Sequence, residues 1–128
     1  MPHYSMAGCT VSVRDATAGS VVEVCVSGDL DGDAVPMLTE ITNHLAGLSA
    51  RRVVLELRQL DFAGSALANW IMRLQGRLGS GTPVVVCHPR PTVRWVLRTT
   101  GMAELIDDGR SERATADSAS TRPRLRLV

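Results

Sequence analysis

Aromatic residues are scarce: the chain holds two Trp, one Tyr and one Phe among 128 residues. That excludes a base-stacking platform for single-stranded nucleic acid. Lysine is missing, since all 14 basic residues are Arg, and the formal net charge is only +1. So even a balance gives no broad attraction to nucleic acid or to an anionic membrane. The three cysteines, Cys9, Cys25 and Cys87, have no paired spacing and make no disulfide framework. No apolar run approaches the length that spans a bilayer. Residues 1–5 lack the basic and apolar regions of a signal peptide, so the expected location is cytoplasmic.

What is present is enough apolar material for a core. Hydrophobic residues make up 45% of the chain, which suits one domain of ordinary size. The organising stretch is residues 53–78. Val53 to Leu57 is a β-branched and aliphatic run that reads as a buried strand. A loop containing Gly64 follows, and Ser65 then opens a helix carrying Leu67, Ile71, Leu74 and Leu78 on one face. At that position the Ser65 hydroxyl is expected to cap the helix, and the positive helix start would tolerate a phosphate there.

Around this centre the remaining elements fall in order. Residues 1–8 read as a flexible lead-in. Cys9 to Arg14 alternates like an edge strand, and Val21 to Val26 forms a second strand closing at Ser27-Gly28, the two making an antiparallel hairpin. The segment Asp29-Leu30-Asp31-Gly32-Asp33 reads as a loop, with Asp33 capping a helix that bears Leu38, Ile41, Leu45 and Leu48. Pro36 fits the first turn of that helix. Val84 to Cys87 is a short buried strand, Thr92 to Thr100 a helix stopped by Gly101, and Met102 to Ile106 a short edge strand. Beyond Asp107 the composition turns to Asp, Gly, Ser, Thr, Ala and Arg, and residues 108–128 are expected to be a disordered tail. The result is an α/β sandwich with a small mixed sheet, parallel where helices connect the strands, and helices mainly on one face.

The order of these pieces, with specific residues, resembles the STAS family of bacterial anti-sigma factor antagonists, which has relatives in anion transporters and stress-signalling complexes. The resemblance covers residues 9–107. Ser27-Gly28-Asp29-Leu30-Asp31 is similar to the family's Gly-Glu-Leu-Asp, and Ala34-Val35-Pro36 to its first helix start. Val54-Leu55-Glu56-Leu57 resembles Val-Leu-Asp-Leu, and Phe62-Ala63-Gly64-Ser65-Ala66-Leu67 falls on Phe-x-Asp-Ser-Ser-Gly. Pro91 to Leu97 and Thr100-Gly101-Met102 resemble the last helix and its Gly-Leu ending. The resemblance implies a non-enzymatic protein that binds an anti-sigma factor with a kinase-type ATP-binding fold. It makes Ser65 the phosphoacceptor. The implied contact surface holds Asp29, Asp31, Asp33, Phe62, Gly64, Ala66, Leu67 and Trp70. Two positions depart from the pattern: Gly64 replaces the family's Asp, and Leu67 its Gly.

Other chemistries find little purchase. Asp29, Asp31, Asp33 and Glu40 match positions 1, 3, 5 and 12 of a calcium loop, but Ala34 stands at its required Gly, so no metal is expected. Cys87 and His88, adjacent on a strand, point to opposite faces and cannot work as nucleophile and base. No cofactor motif is present. A small α/β enzyme is therefore disfavoured, whereas an unphosphorylated STAS subunit of a larger transport or stress-signalling complex stands as the alternative binding reading. Trp70 and Trp95 are both read as partly exposed, either as binding anchors or as residues flanking the core, and the arginines at 73, 77, 90, 94 and 98 are expected to line solvated helix faces.

Overall fold

The computed structural model of this chain describes residues 3–16 and 21–107. The described residues form six strands and three helices. The strands are β1 (His3–Met6), β2 (Cys9–Ala16), β3 (Val21–Leu30), β4 (Arg52–Glu56), β5 (Leu60–Ala63) and β6 (Val84–Cys87). The helices are α1 (Val35–Ala46), α2 (Ser65–Leu78) and α3 (Pro91–Thr99). The sheet runs β1-β2-β3-β4-β6, with β5 also on β3. β1, β2 and β3 pair antiparallel, while β3, β4 and β6 pair parallel through helical crossovers.

Alternation along the strands decides the layers. Val11 and Val13, Val22, Val24 and Val26, Val53 and Leu55, and Val84 and Val86 are buried, while the residues between them stay at least partly accessible, Cys87 excepted. The buried side meets Leu38, Ile41 and Leu45 of α1, Leu67, Ile71 and Leu74 of α2, and Val93 and Leu97 of α3. Helices thus cover one face, as the sequence pattern predicts, and the other face is polar. There Arg14 pairs with Glu23 at 3.0 Å, and His88 Nδ1 meets Glu56 Oε1 at 2.9 Å.

Several elements differ from the sequence reading. Residues 3–6 are a strand rather than a free lead-in, because they pair with β2 through a two-residue turn. Ala7 and Gly8 both have positive φ (51° and 82°), the twist that a tight hairpin requires. β3 runs on to Leu30, so Asp29 lies in a strand and not in a loop. Asp31, not Asp33, makes the cap: its Oδ1 accepts from the Asp33 N–H at 3.0 Å and sets a single 3-10 turn before α1. α1 itself has no side-chain cap. Ala103–Leu105 is a 3-10 turn instead of an edge strand, with Ile106 alone bridging to Val86. Gly101, at φ 81°, stops α3 as expected. The tail over 108–128 lies outside the described residues.

Candidate functional site

The corner around Ser65 is built from three pieces. β4 pairs with the first half of β3, and after the Leu57-Arg58-Gln59 connector β5 pairs with its end. The register steps from Gly28↔Leu60 to Asp29↔Phe62, so Asp61 is an inserted residue, a β-bulge. The bulge resets the alternation: Leu60 and Ala63 are buried, Asp61 and Phe62 face outward. Phe62, read as loop from the sequence, is therefore a strand residue with 54% of its surface exposed. Asp61 is held by Arg90 at 2.8 Å, and Arg90 Nε also donates to the Arg58 carbonyl at 2.9 Å. This clamp ties the start of α3 to the connector. Arg90 is thus not one more solvated charge.

Past β5 the chain turns into α2. The Gly64 N–H donates to the Leu30 carbonyl at 3.2 Å, which fixes the turn beside the Asp31 cap. Gly64 is the N-cap, with extended backbone and no side-chain bond, and Ser65 is the first helical residue. The expected capping by the Ser65 hydroxyl does not occur, because a residue already in the helix no longer reaches back to its own N2 and N3 amides. Ser65 is exposed, and among the described residues its hydroxyl has no hydrogen-bond partner.

The structure brings Asp29, Asp31, Asp33, Phe62, Gly64 and Ser65 to one end of the sheet and separates two of the predicted contacts from them. Asp29 and Asp33 are exposed, Asp31, Gly64 and Ala66 partly so. Leu67 and Trp70 are fully buried. Helical spacing explains both, since positions 67, 70, 71 and 74 face the sheet and Ser65, Asn69 and Met72 face out. Trp70 Nε1 donates to Thr42 Oγ1 at 3.0 Å inside the core, joining α2 to α1. Trp95, by contrast, is 65% exposed on α3.

Burial, then the Asp31 and Asp29 carboxylates, push the Cys9 thiol up to about 11, so it stays protonated at neutral pH. Burial and the Glu23 carboxylate raise Cys25 as well. Cys25 is partly exposed on the polar sheet face. Among the described residues no group of three or more His, Cys, Asp or Glu is placed to hold a metal ion. None of their helices is long and apolar enough to cross a membrane.

Comparison with known proteins gives this arrangement a family. The family model described as Mlab, STAS domain, matches residues 13–107. The chain belongs to the STAS domain family. Among solved structures, the anti-sigma factor antagonist SpoIIAA in its unphosphorylated form superposes with a TM-score of 0.71 at 17% identity, covering 88% of this chain and 99% of that one. An anti-sigma factor antagonist from Mycobacterium paratuberculosis gives 0.74 at 24% identity, covering 84% and 92%. The Bacillus cell fate determinant SpoIIAA in the phosphorylated form gives 0.63 at 19% identity, covering 83% and 96%. At these identities the likeness is one of fold. No curated protein matches the chain.

Proposed function

We propose that this chain is a regulatory binding domain of the anti-sigma factor antagonist type. Its Ser65 corner docks on an anti-sigma factor with a kinase-type ATP-binding fold, and phosphorylation of Ser65 ends the docking. The observation that carries this reading is an exposed serine at the first position of α2, its hydroxyl uncommitted, beside an exposed phenylalanine. The partner's kinase site would move the γ-phosphoryl of ATP to Ser65 Oγ, leaving ADP and releasing the hydroxyl proton. The modified side chain carries about −1.5 to −2 charges at pH 7. The first N–H groups of α2 tolerate that charge in the free protein. In a closed interface, next to Phe62 and the carboxylates of Asp29, Asp31 and Asp33, it must be desolvated against like charge. A fold shared with an antagonist solved in both phosphorylated and unphosphorylated forms supports the reading.

Ser65→Asp is expected to weaken the complex with such a kinase at least tenfold, or about 1.4 kcal/mol, measured by calorimetry. Ser65→Ala should still bind but take up no phosphate from ATP. Unchanged affinity of Ser65→Asp would refute the switch. Gly64, standing where the family has Asp, favours a second reading in which Ser65 is never modified and the domain is a fixed subunit of a larger assembly. Pull-down of transporter subunits, with no phosphoserine by mass spectrometry of the native protein, would decide for it.

A further inference from the structure

Away from the Ser65 corner, α1 and α2 leave an open groove of about 390 Å³ lined by Thr39, Thr42, Asn43, Arg73, Gly76 and Arg77. We propose that this groove receives an acidic peptide segment of a partner protein, as a second binding surface independent of Ser65.

The first argument is the polarity of the lining. Arg77 donates to Asn43 Oδ1, a neutral acceptor. Arg73 has no hydrogen-bond or ion-pair partner among the described residues. Neither guanidinium is neutralised there by a carboxylate, in contrast to Arg14 with Glu23 and Arg90 with Asp61. The remaining groups are already committed or are donors too. Thr39 and Thr42 donate their hydroxyl protons to the carbonyls of Val35 and Leu38, and Thr42 accepts from Trp70. With its oxygen held by Arg77, Asn43 presents its NH2. The groove therefore offers N–H donors, and the matching ligand is a group that only accepts, an ionised carboxylate.

Spacing and shape separate a peptide from a small anion. Arg73 and Arg77 are one helical turn apart, with Cβ atoms about 6 Å from each other. Carboxylates four residues apart on a helix, or two apart on an extended segment, have the same separation. Gly76 lines the same groove beside the two arginines. A glycine inside a helix costs about 1 kcal/mol relative to Ala, and here a Cβ would meet nothing within 4 Å. The chain's own packing does not call for Gly76, whereas close approach by a second backbone would. Gly76 lies eleven positions beyond Ser65 along α2, roughly 16 Å at the helical rise, so the two surfaces are distinct.

The test is an amide-resolved NMR titration of the full chain with an acetylated, amidated 16-residue alanine peptide bearing glutamate at every fourth position. Saturable shifts are expected at residues 39–43 and 73–77. Affinity should fall at least tenfold in the Arg73→Ala/Arg77→Ala double variant and in Gly76→Leu, while Ser65→Asp should bind like the parent. Arg73→Gln alone, a milder change, should give an intermediate loss. The proposal is overturned if no saturable binding occurs, if a glutamine twin of the peptide binds equally, or if the double variant binds like the parent. It is also overturned, in favour of a small-anion site, if inorganic phosphate alone produces the same saturable shifts.

Discussion

Trp70→Ala is expected to lower folding stability by about 3–5 kcal/mol. Trp70 is the largest fully buried side chain, enclosed between the sheet and the helices with no exposed surface. Its removal opens a cavity that the surrounding Leu and Ile side chains fill only in part, and it takes the indole N–H away from Thr42. A domain of this size is typically stable by some 5–15 kcal/mol, so the variant should populate unfolded chains readily. Urea denaturation should show the midpoint fall sharply. Trp70→Phe, which keeps a ring and loses the hydrogen bond, should lose only about 1–2 kcal/mol. A Trp70→Ala protein of parental stability that had merely lost partner binding would contradict the interior placement and restore tryptophan as a surface anchor.

Gly28→Ala should be nearly as damaging, for a different reason. Gly28 has φ 89°, and a Cβ built there would lie 2.1 Å from the Gly8 carbonyl oxygen. The obstacle is backbone and cannot swing aside. The Gly8 oxygen also accepts the Asp29 N–H at 3.1 Å, so the hairpin tip and the end of β3 are held together at this point. Steric overlap and the left-handed conformation together should cost roughly 3 kcal/mol or more. Thermal unfolding reads the loss. Amide shifts should change at residues 7–9 and 28–31, and on to Gly64 through its bond to Leu30. A Gly28→Ala protein with parental melting and unchanged amides would mean that the hairpin tip does not pack there.

The core was largely legible in the sequence because burial writes itself as period. The stripes Leu38–Ile41–Leu45 and Leu67–Ile71–Leu74, and the runs of valine in β3, β4 and β6, reach the positions their spacing dictates. What stayed hidden depends on pairing between distant segments. β1 shows no pattern of its own, and its hydrogen bonds come from β2. β5 was hidden because the bulge at Asp61 breaks the alternation by which a strand is recognised. At the site, Ser65 was placed at the helix start from its neighbours. Its lack of a capping bond turns on a one-position difference in where the helix begins, and that difference lies below what propensity resolves. Trp70 was misjudged as partly exposed because the stripe through Ile71 is wide enough to take in its neighbour. The clamp of Arg90 on Asp61 and the groove between α1 and α2 join residues about thirty positions apart, beyond any local signal.

The single supernumerary residue at Asp61 has a consequence for kinship at this corner. It works as a phase shift: with Asp61 kept in a regular ladder, strand parity would turn Phe62 toward the interior and Ala63 toward solvent, whereas its deletion would leave Phe62 outward opposite Asp29. A descendant could thus lose this residue and keep the protruding ring, while giving up the carboxylate that Arg90 grips.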